Sequence, residues 1–261
     1  MVKEALQELT GKKNVYLVSS GLNAIIQTLD RCYEASPDSF KMFNKLIIPD
    51  QGGRLIFKDN KADYEIVELK TTFGVLWLTK LREVVDETSI VLLSSLAGYF
   101  AEQPMREIEE ICRIKGALLI NDVSGSIGRK LAQYGDIIVG SFGKFRPINL
   151  GYGGFIASDE KLNIKENFDI TKLLDLKDKL DVLNDRATKI YTKAIEIKND
   201  LKDFEILHRE SNSLVVVVRY NDEDEKNKIL KYCEDKNLKY KLCPKYTRVK
   251  EKAISIEVKQ C

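Results

Sequence analysis

The stretch GDIIVGSFGKFRPINLGYGGFI, residues 135–156, decides the fold. It opens with a run of branched apolar residues, which is typical of a strand buried on both faces of a sheet. The run ends at Ser141, and a loop with Lys144 and three glycines leads into a second apolar run. A lysine that follows a buried strand is either solvated in its loop or, if it is held neutral, a nucleophile for carbonyl compounds. The stretch therefore predicts a buried sheet with a candidate site at its edge.

On both sides of this stretch, short apolar runs alternate with amphipathic segments. The predicted strands are Val15–Val18, Leu46–Pro49, Tyr64–Leu69, Ile90–Ser94, Ala117–Asn121, Ile137–Gly140 and Gly154–Ala157. The predicted helices are Ala24–Glu34, Leu76–Val85 and Met105–Ile114. Strands that alternate with helices across short connections predict the α/β class, with a mainly parallel sheet flanked by helices.

A different pattern begins near Lys161. From Leu173 to Leu201 the apolar residues recur at steps of three and four, which predicts one helix of about 30 residues. The segments predicted after it are a strand, a helix and two strands, at Leu214–Tyr220, Asp224–Asp235, Leu238–Leu242 and Ala253–Val258. We therefore predict a large domain over residues 1–165, a long connector helix over 166–203 and a small C-terminal αβ domain over 204–261.

Composition and charge exclude several classes of function. The chain has 42 basic and 40 acidic residues, so its net charge of +2 predicts no nucleic-acid partner. No stretch approaches the roughly 20 consecutive apolar residues that cross a bilayer, which predicts no membrane segment. The five cysteines are odd in number and widely spaced, with no CxxC pair. This pattern predicts a cytoplasmic protein with neither a disulfide framework nor a metal site.

Two further segments carry polar or small residues where a predicted strand ends. The first is SSGLNA, residues 19–24, which leads into a helix. Its backbone N–H groups predict either a phosphate site or an ordinary helix cap. The second is Asn121–Ser124, in which Asp122 follows a buried strand. That carboxylate is interpreted either as the partner of a ligand cation or as a cap on nearby backbone amides.

The order of the three segments resembles that of the fold-type I pyridoxal-phosphate enzymes, the aspartate aminotransferase superfamily. In that family a small-residue turn and a serine bind the cofactor phosphate, an aspartate pairs with the pyridine nitrogen, and a lysine forms the internal aldimine. The resemblance implies pyridoxal 5'-phosphate as cofactor, with Asp122 and Lys144 as the catalytic residues. It implies a cofactor-binding set made of Ser20, Gly21, Leu22, Asn23, Asp122, Ser124, Ser141 and Lys144.

Two branches of the superfamily differ in where they place the lysine. The sequences SSGLNA, NDVSGS and GDIIVGSFGKFRPINLGYGGFI resemble motifs of the DegT/DnrJ-type sugar aminotransferases. A gap-free alignment from Ser141 to Gly154 puts Arg146 where that branch has its lysine. The spacing Ser-x-x-Lys of other aminotransferases and several lyases fits Ser141 and Lys144 instead. The loop Pro49–Gly53, which in relatives supplies a residue that stacks on the ring, has no aromatic residue or histidine.

These two spacings imply two functions. With Lys144 as the aldimine lysine, the chain is an enzyme that acts on an amino acid or amino sugar, most simply an aminotransferase, or a lyase. Relatives build their sites across a dimer interface, so this reading implies a homodimer with a small-molecule amino substrate. With Arg146 in the lysine position, the chain is a catalytically degenerate relative that acts as a binding or partner subunit. A third reading, a nucleotide-binding protein with phosphate at Ser19–Gly21, lacks the GxGxxG and GK[ST] motifs.

Overall fold

The computed structural model describes residues 1–33, 43–52, 64–244 and 248–260. Its helices are α1 (Val2–Thr10), α2 (Gly21–Tyr33), α3 (Leu78–Val84), α4 (Met105–Lys115), α5 (Leu173–Asp181), α6 (Leu183–Asp200) and α7 (Glu223–Asp235). Its strands are β1 (Asn14–Val18), β2 (Lys45–Pro49), β3 (Glu65–Leu69), β4 (Thr71–Thr72), β5 (Val75–Leu76), β6 (Ser89–Ser94), β7 (Leu96–Ala97), β8 (Ala101–Glu102), β9 (Leu118–Asp122), β10 (Ile137–Ser141), β11 (Gly154–Ser158), β12 (Glu205–Ile206), β13 (Val216–Arg219), β14 (Tyr240–Cys243) and β15 (Ala253–Ile256).

The main sheet has seven strands in the order β1-β11-β10-β9-β6-β2-β3. Strand β11 runs antiparallel to both of its neighbours, and every other pair in this sheet is parallel. Helices pack against the sheet, as in the cluster that joins Ala24 of α2 to Ile156 of β11 and Val139 of β10. The prediction of an α/β fold with a mainly parallel sheet flanked by helices is therefore confirmed.

The C-terminal part forms its own small antiparallel sheet, with the strand order β12-β13-β15-β14. Helix α7 packs on this sheet through Ile229 and Cys233, both of which are buried. The small αβ unit is thus confirmed. The domain boundaries at residues 165 and 203 remain a prediction.

The segment predicted as one connector helix is divided in the structure. It consists of a 3-10 turn at Ile170–Lys172, then α5, then α6, with a break at Val182. The change of packing partner lies within α6 and not at this break. Leu176 and Leu183, on either side of Val182, pack with the N-terminal elements, whereas the apolar residues from Ile190 onward pack against the C-terminal sheet.

The predicted boundaries shift at two helices. Helix α2 begins at Gly21 and not at Ala24, because Ser20 caps it: the Ser20 Oγ accepts a hydrogen bond from the Asn23 amide at 3.0 Å. The predicted end of this helix, Glu34, lies outside the described residues. Helix α3 begins at Leu78 because the residues before it pair as the two-stranded hairpin β4–β5.

Candidate ligand site at the edge of the sheet

The start of α2 lies directly against the end of β10. A Cβ atom on Gly21 would lie 2.5 Å from the Cβ of Ser141, which is closer than two carbon atoms can approach. Only glycine therefore fits at this position. The first turn of α2 therefore faces the Ser141 hydroxyl. Backbone N–H groups in the first turn of a helix have no partner within the helix, and the helix dipole adds positive potential there. This end of α2 is suited to an anion.

Three serine hydroxyls lie in a chain of contacts around this helix end. The Ser124 Oγ accepts a hydrogen bond from the Ser141 amide at 2.9 Å, and the Ser141 Oγ accepts from the Gly143 amide at 3.1 Å. The Ser20 Oγ accepts from the Asn23 amide, as described for the cap. Each hydroxyl thus accepts from the backbone, so its own proton can be donated to a ligand. The cap engages the Asn23 amide, which leaves the Leu22 amide as the better candidate for a ligand contact.

Asp122 is the last residue of β9 and points toward the same edge of the sheet. Its Oδ1 accepts a hydrogen bond from the Ser124 amide at 2.9 Å. This is the backbone-capping contact that the sequence left as one of two interpretations. The bond engages one carboxylate oxygen, so the second can still accept from a ligand donor. The structure thus brings Asp122, Ser124, Ser141 and the start of α2 together.

The two basic residues of the β10–β11 loop take different positions. The Lys144 side chain is exposed and lies over Gly151, where a Cβ would be 3.5 Å from the Lys144 Cγ. The guanidinium carbon of Arg146 instead lies 4.5 Å from the centroid of the Tyr99 ring. Arg146 is therefore the loop cation that packs on the Tyr99 ring.

Tyr99 links the loop after β6 to both halves of the molecule. Its ring packs on Gly125, where a Cβ would lie 2.6 Å from the Tyr99 Cδ1. Its carbonyl oxygen accepts a hydrogen bond from the Leu214 amide of the C-terminal part at 2.8 Å. Burial raises the pKa of the Tyr99 hydroxyl to about 12, so the ring stays neutral at ordinary pH.

Three residues from the end of the chain complete the surroundings of Tyr99. The Arg248 Nη2 donates to Glu257 Oε1 at 2.9 Å and to Oε2 at 3.0 Å, and the Lys259 Nζ donates to the same Oε2 at 2.5 Å. The Arg248 guanidinium carbon and the Lys259 Nζ lie 5.5 and 4.9 Å from the Tyr99 ring centroid. We call Tyr99, Arg146, Arg248, Glu257 and Lys259 the Tyr99 charge cluster.

Burial shifts the protonation of this cluster. Desolvation, reinforced by repulsion from Arg248, lowers the pKa of the Lys259 amine to about 7. Desolvation alone would raise the pKa of Glu257, but the charges of Arg248 and Lys259 outweigh it and hold that pKa below its usual value. The cluster therefore keeps an ionised carboxylate among cations.

Sequence reasoning missed most of this cluster. Of its five residues, the motifs of the sequence point only to Arg146. Glu257 and Lys259 were not identified, because neither stands in a motif and both lie more than a hundred residues from the loops they contact. The loop Pro49–Gly53 has no aromatic residue or histidine in its sequence, and its last residue, Gly53, lies outside the described residues.

This fold is that of the fold-type I pyridoxal-phosphate enzymes. Its features here are a seven-stranded sheet with one antiparallel strand, β11, and a helix that begins against a serine at the strand ends. Residues 59–173 match the DegT/DnrJ/EryC1/StrS aminotransferase family, and residues 185–261 match the MJ1341 family C-terminal domain. The suspected resemblance to this superfamily, and to its DegT/DnrJ branch, is thereby confirmed. None of the curated proteins matches this sequence.

Solved structures share this fold. A serine palmitoyltransferase from S. paucimobilis with a bound PLP–myriocin aldimine is 16% identical, with a TM-score of 0.71 over 98% of this chain and 70% of that one. The serine palmitoyltransferase of Sphingomonas wittichii is 16% identical, with a TM-score of 0.70 over 98% and 69%. A GDP-4-keto-6-deoxymannose-3-dehydratase with bound GDP-perosamine is 12% identical, with a TM-score of 0.74 over 98% and 87%. At these identities the likeness shows the fold alone.

The residues of this site fit one end of pyridoxal phosphate better than the other. The start of α2 and the serine hydroxyls are suitable donors for the phosphate, and Asp122 is a suitable partner for the ring nitrogen. At the other end, the loop cation that packs on Tyr99 is the guanidinium of Arg146, which forms no imine, while the amine of Lys144 is exposed.

Within residues 1–33, 43–52, 64–244 and 248–260, no group of His, Cys, Asp and Glu side chains is arranged to hold a metal ion. The described helices include none that is both long and apolar enough to cross a membrane.

Proposed function

We propose that this chain binds a phosphate-bearing ligand of the pyridoxal phosphate class without a covalent bond, as a binding or partner subunit with the fold of a PLP-dependent transferase. One observation carries the proposal. The Arg146 guanidinium lies over the Tyr99 ring, while the Lys144 side chain of the same loop is exposed.

The phosphate end supports binding. Gly21 allows α2 to start in contact with Ser141, so the helix N-terminus and the hydroxyls of Ser20, Ser124 and Ser141 converge on one place. Charge-assisted hydrogen bonds of this kind are about twice as strong as those between neutral groups. We infer that the phosphate contributes most of the affinity.

The loop cations argue against catalysis through Lys144. Formation of an imine needs a neutral amine next to the carbonyl carbon, and enclosure of a lysine is what favours its neutral form. Lys144 is exposed, so the protein does not enclose this amine. Arg146 is partly buried, but a guanidinium keeps its proton in proteins.

We expect pyridoxal phosphate to bind wild-type protein saturably and to leave no adduct at residue 144 after borohydride reduction. Absorbance titration followed by reduction and peptide mass mapping measures both. A reduced pyridoxyl adduct on Lys144 would overturn this proposal and favour an enzyme with Lys144 as its aldimine lysine.

The substitution Arg146→Lys tests the same idea by restoring an amine inside the site. We expect this variant to gain a near-visible absorbance band with pyridoxal phosphate and a reduced adduct at position 146. The matched control is Lys144→Arg in the Arg146→Lys background, which should keep both signals. If the signals vanish in the double variant, the amine that reacts is Lys144 and the assignment of the loop is wrong.

The oligomeric state, the class of ligand and the cellular location of the protein remain predictions from the resemblance. A homodimer, a small-molecule amino ligand and a cytoplasmic location are all consistent with the fold. Sedimentation of the purified chain would decide the first of them.

A further inference from the structure

We propose that residues 165–167 position the phosphate-binding turn between β1 and α2, with Gln27 and Asn167 as the positioning residues. The turn, residues 19–23, carries the amides of the helix start and the Ser20 hydroxyl. The positioning residues act through this turn and not through a contact with the ligand. This inference rests on the proposed function, because it concerns how firmly the same phosphate site is held.

Side chains, and not another strand, cover the outer edge of β1, which is the end strand of the main sheet. The Leu17 amide donates to Glu166 Oε1 at 2.7 Å. Just beyond the strand, the Ser19 amide donates to Asn167 Oδ1 at 2.8 Å. An edge strand otherwise leaves such N–H groups unpaired. The bond to Asn167 therefore fixes the residue that directly precedes the Ser20 cap of α2.

Gln27 joins the same segment to the first turns of α2. The Lys165 amide donates to Gln27 Oε1 at 2.9 Å, and Gln27 Nε2 donates back to the Lys165 carbonyl oxygen at 3.1 Å. The same Nε2 donates to Asn23 Oδ1 at 2.8 Å. Asn23 is the residue whose amide donates to the Ser20 cap. A chain of hydrogen bonds thus runs from residue 165 to the start of the helix.

Backbone atoms hold the turn from its inner side. The Ser19 carbonyl oxygen accepts a hydrogen bond from the Gly153 amide at 3.2 Å, and the space between Gly154 and Ser20 is too small for a Cβ atom. The turn is therefore held between the start of β11 and residues 165–167. Only the outer side consists of side-chain contacts, so single substitutions there can loosen the turn without changing its inner packing.

Firm positioning matters at this site because an anion at a helix start is bound by several N–H groups at once. These groups bind most tightly when they already point at one place, since donors fixed beforehand lose less entropy on binding. Lys165, Glu166 and Asn167 are exposed, and substitutions of exposed residues usually change stability only slightly. An effect on phosphate affinity can therefore be measured apart from an effect on folding.

The test uses pyridoxine 5'-phosphate, which has no aldehyde to react with a lysine, and pyridoxine, which lacks the phosphate. We expect Gln27→Met and Asn167→Ala each to weaken binding of the phosphate compound by about three- to tenfold in isothermal titration calorimetry, as the loss of one or two hydrogen bonds would. Phosphorus NMR of the bound compound supplies a readout that a loss of stability alone does not change. The wild-type site should keep the bound phosphate doubly ionised at a pH of about 6, where a free phosphate monoester is half protonated, and each variant should raise the pKa of the bound phosphate toward its free value.

The matched control is Tyr16→Phe. The Tyr16 hydroxyl accepts a hydrogen bond from the Leu162 amide at 2.8 Å, so this variant also removes a contact between β1 and the stretch of chain that follows β11. The bond involves neither residues 19–23 nor residues 165–167. Phosphate affinity and the phosphorus signal should therefore match those of the wild-type protein.

The outcomes separate the two proposals. If wild-type protein binds pyridoxine 5'-phosphate no more tightly than pyridoxine, the proposed phosphate site fails and the positioning role fails with it. If the phosphate compound binds more tightly but both variants match the wild type, only the positioning role is overturned, as it is by an equal loss in Tyr16→Phe. Should the variants not fold, hydrogen exchange of the wild-type protein replaces them. Bound pyridoxine 5'-phosphate should slow exchange of the Leu17 and Ser19 amides, and unchanged exchange there overturns the inference.

Discussion

The substitution Glu257→Gln should lower the free energy of unfolding by about 3–5 kcal/mol, because removal of one partner from a buried ion pair leaves the other charge uncompensated. Glu257 and Lys259 are almost fully buried, and Glu257 is the carboxylate bonded to both Arg248 and Lys259. An amide of the same shape keeps the packing but removes the negative charge. Urea denaturation followed by circular dichroism measures the loss.

The pH dependence of this loss identifies its cause. The pKa of Lys259 is about 7 in the folded chain, below that of an ordinary lysine in the unfolded chain. Above pH 7 the folded state gives up this proton, so less charge remains to be compensated. The loss should therefore be smaller at pH 9 than at pH 6. In the control Glu205→Gln, which breaks an exposed pair with Arg219, the loss should stay below about 1 kcal/mol at both pH values.

An equally large loss for both variants would contradict this account of the cluster. So would a Glu257→Gln loss that grows with pH, since that would mean that Lys259 is not the charge left uncompensated.

The substitution Gly154→Ala should cost about 3 kcal/mol of stability and also weaken phosphate binding. A Cβ at this position would lie 2.6 Å from the Gly140 carbonyl oxygen and 2.7 Å from both the Gly21 nitrogen and the Ser20 carbonyl carbon. These neighbours are backbone atoms, so no side chain can rotate away and the start of α2 has to move. Denaturation and a pyridoxal phosphate titration measure the two effects.

Gly11→Ala is the matched control for this substitution. Gly11 has a φ of 72°, and a Cβ there meets nothing within 4 Å. Its substitution should cost only the strain of a left-handed backbone, about 1–2 kcal/mol, and leave ligand binding intact. If Gly154→Ala binds ligand as well as Gly11→Ala does, the start of α2 is not the phosphate site.

The sheet was predictable because most of its strands, though not the edge strand β3, are largely buried. Runs such as Ile137–Gly140 are not interrupted by a polar residue. The strands of this sheet begin and end within one or two residues of the predicted bounds. The hairpin of β4 and β5 was missed because strands of two residues carry no periodicity. The break at Val182 was missed because the apolar spacing continues across it, from Leu176 and Leu180 to Leu183 and Ala187.

The candidate site was predictable where it follows strand ends. Gly21, Asp122 and Ser141 could be brought together because parallel strands of one sheet end at the same edge. The choice between the two loop cations could not be made from spacing. Phe145 and Asn149 both have positive φ angles, 61° and 52°, so the direction of the side chains in this loop follows no regular element.

Helix α6 connects the two cores of the protein. Its first residue, Leu183, packs with the N-terminal elements, and its residues from Ile190 onward pack against the C-terminal sheet. Arg186 lies near the start of this helix and donates hydrogen bonds to the carbonyl oxygens of Arg146 and Lys259. The first turn of α6 therefore acts as a brace that fixes the backbone of a loop in the N-terminal part relative to the end of the C-terminal sheet.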